Sequence, residues 1–346
     1  MTTARTTIGI DTSDRKIDVC VFDGERIVLE EQVALSRERI DDYFGMRSRC
    51  RVVLEIGTHS PWLSRALEKL GYEVLVANPL KFRMICASQR KDDRTDAETL
   101  ARVGHMDPSL LHPVKHRGEA VQAGLAVVRS RAAQVRSRTQ LINHARGLTK
   151  SWGERLPASS SASFHHLAAS IPEPLRDALG PVFASVEHLN QQIRDSDRRI
   201  VELVEVSFPE AKILQTVPGV GALTALTFVL TLETPGRFET SRSVGAYTGL
   251  SPAKRQSGDL DAQQPITKHG DRHLRWLLVQ AAHYILGPFG PDSDLRRWGA
   301  ALASRAGRGA KRRAVVAVAR KLSVILHRMW VTQQPYRPLA DVRAAS

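Results

Sequence analysis

The amino-acid sequence predicts an α/β region followed by a mainly α remainder. Three patterns carry that reading. Strand and helix signals alternate over residues 1–112, two heptad-like stripes follow between 113 and 208, and helical periodicity broken by glycine-containing loops fills 209–346. These three spans are the expected domains.

In the first span, "TTIGID", "KIDVCVFD" and "RIVLEEQVAL" read as successive strands, the first two separated by the turn-forming "TSDR". A helix follows around "SRERIDDYFGM", then a buried strand "RVVLEIG", a helix "SPWLSRALEKLG" and a strand "YEVLVANP". Hairpin-like strands followed by strand–helix–strand make a mixed sheet flanked by helices, an order shared by RNase H-like nucleases and sugar-kinase-type ATPases. In the middle span, Val121, Leu125, Val128, Ala132, Val135 and Ile142 fall on alternating four- and three-residue steps interrupted by Thr139. Val186, Leu189, Ile193, Ser196, Ile200 and Leu203 repeat the pattern after the Pro/Ser-rich "PASSSAS". This predicts a helical hairpin or coiled coil. The last span opens with "ILQTVPGVGALTALTFV", passes through loops to "HLRWLLVQAAHYIL", and ends in a basic amphipathic helix over about 310–330.

Composition narrows the function classes. At 42% hydrophobic and 25% charged, the chain reads as a soluble globular protein. Fifty basic against thirty-six acidic side chains give a formal charge of +14, which favours a polyanionic partner. The charge lies inside helical segments, "RSRAAQVRSR" and "GRGAKRRAVVAVARK", as well as in loops. Cys20, Cys50 and Cys86 lack metal-ligand spacing and suit a reducing cytoplasm. The twelve histidines form no zinc set with them, and buried or phosphate-facing imidazoles are expected. No secretory leader opens the chain, and no apolar run approaches the roughly 20 residues that span a bilayer.

The acids of "KDDRTDAETLAR" stand out in so basic a chain. If the stretch is helical, each residue advances about 100°. Asp93 then lies on the apolar stripe of Ala97, Leu100, Ala101 and Gly104, Asp96 lies at its edge beside Val103, and Asp92 and Glu98 point away. Asp11 ends the first strand, and Glu55 lies inside the apolar "VVLEIG". A carboxylate in such a strand is costly unless paired or bound to a cation. Inward-facing Asp11, Glu55, Asp93 and Asp96 would repel one another without divalent cations, and oxygen-only ligands favour magnesium or manganese. Such ions polarise a phosphodiester. Downstream, Ser257 sits before Gly258 in "GLSPAKRQSGDLDAQQPITKHGDRHLR", with Lys254 and Arg255 behind it and Lys268, Arg272 and Arg275 ahead. Clustered cations would stabilise a serine alkoxide and a phosphate together; the plain alternative is a turn serine. In "VPGVG", Gly219 and Gly221 read as the turn of a helix–hairpin–helix module, whose backbone amides approach a DNA phosphate, or as an ordinary helix–helix turn. Lys311, Arg312 and Arg313 supply the cations of the last helix.

Taken in order, "GIDTSDRKIDVCVFD", "VVLEIGTHS", "KDDRTDAETLA", "TVPGVGALTA", "AYTGLSPAKRQSG", "ITKHGDRHLRWLLVQAA" and "AVVAVARKLSVIL…QPYRP" resemble the DEDD transposases of the insertion sequence 110 type, relatives of the Piv and MooV DNA invertases. The resemblance runs over nearly the whole chain. It implies an RNase H-fold, RuvC-like DEDD domain whose acids match Asp11, Glu55, Asp93 and Asp96, with Asp92 and Asp96 as the alternative register. It also implies a C-terminal transposase domain whose nucleophilic serine matches Ser257. The serine would join covalently to a DNA strand end, the acids would bind Mg2+ (or Mn2+), and protomers would pool domains in a dimer or tetramer. A structured bridge RNA would pair with donor and target DNA, all in the bacterial cytoplasm with no membrane partner. A metal-dependent Holliday-junction nuclease would use the acids alone and leave the serine loop without a role. A sugar-kinase-like ATPase would explain "GIDTS" but lacks a later Gly-Gly adenosine signature. An architectural DNA- or RNA-binding protein would make the acids structural.

Overall fold

The computed structural model describes residues 6–79, 93–253, 256–257, 260–261, 264–305, 307 and 309–339; the side chains of Asp93, Arg94 and residues 256–261 lie outside that description. Two compact units result, Met1–Arg117 and Gly118–Ser346.

The first unit is built on a five-stranded sheet in the order β3-β2-β1-β4-β5. Strands β1 (Thr7–Thr12), β2 (Lys16–Phe22) and β3 (Ile27–Ala34) form the antiparallel meander, and β4 (Arg51–Glu55) and β5 (Glu73–Ala77) add parallel strands on the other side of β1. The hairpin-then-crossover order anticipated from the sequence is therefore the one observed. Alternation along each strand separates two faces. Ile8, Ile10, Ile17, Val19, Val52 and Leu54 pack with Ile40 and Phe44 of α1 (Arg37–Gly45) and Leu63 and Leu67 of α2 (Ser60–Lys69). Ser36 caps α1, its side chain accepting from the Arg39 amide, which satisfies one of the otherwise unpaired first-turn donors. The opposite face carries Gly9, Cys20, Phe22 and Val53, covered by α3 (Asp93–Met106) through Ala97, Leu100, Ala101 and Val103.

The second unit begins with α4 (Glu119–Ser151), which packs along α5 (Arg176–Glu202). The expected stripes are the packed ones: Leu125, Val128, Ala132, Ile142, Val186, Ile193 and Ile200 are buried, while Thr139 is exposed. Phe164, Ile171 and Leu156 from the connecting segment close a small core against Ile142, Ala145, Leu179 and Phe183. At the other end, Leu125, Val128, Ile200 and Leu203 enter the same core as the C-terminal third, so the helical pair and residues beyond 208 form one body rather than separating there.

That core surrounds α7 (Ala222–Leu232), in which every residue from Thr224 to Leu232 is buried, as an all-round apolar helix requires. It follows the short α6 (Ala211–Leu214) and is packed by α9 (Arg272–Leu286) and by the long α11 (Ala310–Thr332) through α6. The helices α8 (Arg242–Tyr247) and α10 (Asp294–Ala303) complete the layer against α11. His327, buried in α11, is bonded to the Ser241 hydroxyl at 2.9 Å and the Pro235 carbonyl at 3.0 Å, one of the satisfied core imidazoles the composition suggested. No described helix is long and apolar enough to cross a membrane.

Candidate nuclease and transfer site

The carboxylates of the first unit are positioned by strand register. Ile10 pairs with Leu54 across the parallel β1–β4 ladder, and Asp11 and Glu55 are the next residues of the two strands. Since Gly9 and Val53 face α3, alternation puts Asp11 and Glu55 on that same face, at the C-terminal ends of their strands. Both are half-buried.

Helix α3 runs antiparallel to β1, as three landmarks show. His105 Nδ1 lies 3.3 Å from the Thr7 hydroxyl, Arg51 donates to the Gly104 carbonyl at 2.8 Å, and Ala97 and Ala101 lie on Gly9. A Cβ on Gly9 would overlap the Ala97 carbonyl oxygen and sit 2.6 Å from the Ala101 nitrogen, so only glycine admits this crossing. From Ala97 back to Asp93 the helix rises about 6 Å, and from Gly9 to Asp11 the strand advances about 6.6 Å. The described start of α3 is therefore level with Asp11 and Glu55. Asp96 is half-buried beside Ala97, and Glu98 turns to a salt bridge with Arg102 at 2.7 Å. Asp92 and the Asp93 side chain lie outside the described residues. Among the described side chains, no three His, Cys, Asp or Glu form a group able to hold a metal ion.

One acid escaped the sequence reading. Asp18 pairs with Asp11 across the β1–β2 ladder and is 3% exposed. It accepts from Gln32 Nε2 at 2.7 Å and lies 3.5 Å from Lys16 Nζ, so its charge is compensated within the protein. The alternation of "KIDVCV", which sends Asp18 inward with Cys20, was the signal available for it.

The second unit holds Ser257 on a hairpin. Gln256 and Ser257 (β6) pair with Leu260 and Asp261 (β7), and the stem continues through a Pro252–Ile266 bridge and the Ala253–Pro265, Thr267–Ser251 and Lys268–Gly249 backbone bonds. Where the stem enters the helical body, Gly249 (φ +69°) and Gly270 (φ +75°) interlock: a Cβ on either would overlap a carbonyl oxygen, of His269 and Tyr247 respectively. Arg275 clamps the crossing, donating to the Thr248 and His269 carbonyls at 3.1 and 2.7 Å, so this arginine holds the stem itself. Lys268 is exposed with φ +58°, and Arg272 is exposed at the start of α9. Lys254, Arg255 and Gly258 lie outside the described residues, as does the Ser257 side chain.

The other expected nucleic-acid contacts are divided by the fold. Gly219 has φ +87° and packs against α9, where a Cβ would meet the Tyr284 ring at 2.8 Å. Gly221 caps α7 in an extended conformation and borders open space. Lys311, Arg312 and Arg313 are exposed in the first turn of α11. Of the arginines in "RSRAAQVRSR", Arg131 turns to Asp197 at 2.8 Å and Arg138 to Asn190 Oδ1 at 2.8 Å, both across the α4–α5 seam. Arg129 and Arg136 remain exposed.

Comparison with known proteins gives this arrangement a class. Residues 8–151 match a model of DEDD transposases of the IS110 type, and residues 211–294 match the transposase IS116/IS110/IS902 family. The probable family 20 transposase of Pseudomonas aeruginosa is 27% identical over 340 residues, covering 96% of this chain and 98% of its own. The transposase for insertion sequence element IS1328 of Yersinia enterocolitica is 29% identical over 287 residues, 81% of this chain and 84% of its own. The pilin gene-inverting protein of Moraxella lacunata is 24% identical over 183 residues, 50% of this chain and 55% of its own. The chain is a transposase, an enzyme that cuts and rejoins DNA. Within that class, the two family matches make it similar to the DEDD transposases of the IS110 type.

Proposed function

We propose that this transposase breaks and rejoins DNA through a covalent link to Ser257, with Asp11, Glu55, Asp93 and Asp96 as a divalent-metal set and a bridge-type RNA choosing the DNA partners. The observation that carries the reading is the meeting of Asp11, Glu55 and the start of α3 at one edge of one sheet face. An all-oxygen donor set in that position suits magnesium or manganese, which would supply charge stabilisation at the scissile phosphate. Asp18, already compensated by Lys16 and Gln32, stands beside this set and leaves the ligand role to the other acids.

The serine acts as nucleophile. Its oxygen forms a bond to phosphorus while a deoxyribose oxygen departs and takes up a proton. Attack by a second DNA hydroxyl then restores the phosphodiester and returns the serine, so no external energy source is consumed. The hairpin stem supports this role because its glycine interlock and the Arg275 clamp fix the base from which Ser257 projects. The exposed cations of α4 and α11 would hold backbone phosphates, and guide pairing would relieve the protein of base readout. A dimer or tetramer would bring a serine hairpin and an acid set from different protomers to one DNA strand.

Incubating the protein with element-end DNA, the RNA encoded beside it and Mg2+ tests the reading. Protein-linked DNA should survive denaturation, and Ser257→Ala should abolish it. Cleavage without any adduct would instead favour a nuclease that uses the acids and water alone. Normal recombination by Ser257→Ala discards the serine chemistry.

A further inference from the structure

The start of α9 carries an aromatic plate that the proposed cutting and joining does not use. Trp276 is 50% exposed, and its ring lies nearly parallel to that of His273, with centroids 5.9 Å apart and an interplanar angle of 13°. His273 is partly buried beneath it. Burial first, and then Arg131, Arg136 and Arg129, hold its imidazole below the ordinary histidine range against the opposing effect of Asp271, so it backs the indole as a neutral ring. Arg272 stands one turn before Trp276, exposed on the same helical side. From α4 come Arg129, 63% exposed and 3.9 Å from Asp271, and Arg136, also exposed.

The nearby carboxylates offset only part of this charge. Asp271 caps α9, accepting from the Leu274 amide at 2.8 Å, and also pairs with Arg129, while Asp197 is held by Arg131, so the surplus rests on Arg136 and Arg272. The surface is therefore a rigid, half-open indole bordered by Arg129, Arg136 and Arg272. A protein partner would have to supply acids on several sides of an aromatic contact; a nucleic acid offers a flat ring and anions at regular spacing. A paired base has both faces covered by its neighbours, whereas an unpaired one has a face free for the indole.

We infer that Trp276, backed by His273, is a stacking platform for an unpaired base of a DNA strand, whose flanking phosphates lie on Arg129, Arg136 and Arg272. The choice of DNA rests on the reading of the Ser257 hairpin as the strand-handling element, because the stem of that hairpin runs into α9 at Gly270–Arg272. A strand engaged at the hairpin would be held open beside its base.

Fluorescence anisotropy on the full chain tests this without any chemistry, using a labelled DNA single strand, its blunt duplex and an RNA strand of the same sequence. Trp276→Ala should weaken the DNA single strand about tenfold and the duplex less than about twofold, and Trp276→Phe should restore most of the loss. Arg272→Gln should weaken both DNA forms and flatten their salt dependence. Equal loss on single strand and duplex, an unchanged single strand, or a loss confined to RNA overturns the assignment. So does a changed oligomeric state of Trp276→Ala in solution, which would make the indole an interface residue. Anisotropy reads binding alone and protein-linked DNA reads the serine chemistry, so failure of the chemistry and failure of the platform are told apart.

Discussion

Gly9 and Ala97 touch backbone to backbone: the strand and the helix cross so closely that a Cβ on Gly9 would overlap the Ala97 carbonyl oxygen. This contact sets the height of α3 on the sheet and hence the level of its first turn against Asp11 and Glu55. Gly9→Ala should lower unfolding stability by at least the roughly 1–3 kcal/mol typical of overpacking, because the opposing atoms are backbone and cannot rotate away. Urea denaturation measures the loss. Metal-dependent cleavage should fall further than the folded fraction does, since the helix start moves relative to the strand acids.

Gly249 gives a matching test in the second unit. With φ +69° and a Cβ position 2.6 Å from the His269 nitrogen, Gly249→Ala meets both a conformational cost of about 1–2 kcal/mol and a steric one. The stem should splay, detected as new proteolytic cleavage between residues 249 and 270. Protein-linked DNA should disappear while retention by nucleic acid persists.

The first turn of α11 is electrostatically unfavourable by itself. Lys311, Arg312 and Arg313 stand at the positive end of the helix dipole with no acid in that turn. Lys311→Glu should therefore stabilise the protein by about 0.3–1 kcal/mol in thermal unfolding at low salt. If α11 holds a phosphate backbone, the same change should weaken nucleic-acid binding and reduce its salt slope by about one. Opposite signs in the two measurements mark a charge kept for a partner.

The partly buried His273 predicts a pH response. Its folded-state affinity for a proton is depressed, chiefly by burial. The unfolded chain therefore binds the proton more readily once pH falls below its ordinary value near 6.5, and stability present above that value is lost on acidification. His273→Asn should flatten the fall below about pH 6.5. Denaturant midpoints across that range measure it.

Much of the first unit was legible because its strands are short, apolar and alternating. The same rule that found the strands put Asp11 and Glu55 on one face of the sheet and found the stripe of Ala97, Leu100 and Ala101. It had the means to find Asp18 too, but a single acid among "KIDVCV" draws less notice than four in "KDDRTDAE". The meaning of Gly9, Gly249 and Gly270 was not legible, since each is fixed by a backbone far away in sequence. The core shared across position 208 was not legible for a related reason. Heptad periodicity shows which face of α4 and α5 is buried, but not that Leu125 and Ile200 share one core with Leu226 and Phe228. Charge runs were the least informative, because periodicity alone did not separate Arg131 and Arg138, turned into the seam, from the exposed Arg129 and Arg136.

The most direct test of the central claim is to identify the atom that carries the DNA. Protein trapped on an element-end substrate, digested with protease and nuclease, should yield by mass spectrometry one peptide bearing a residual nucleotide on Ser257. A nucleotide on any other residue, or full recombination with no modified peptide at any time point, contradicts the account.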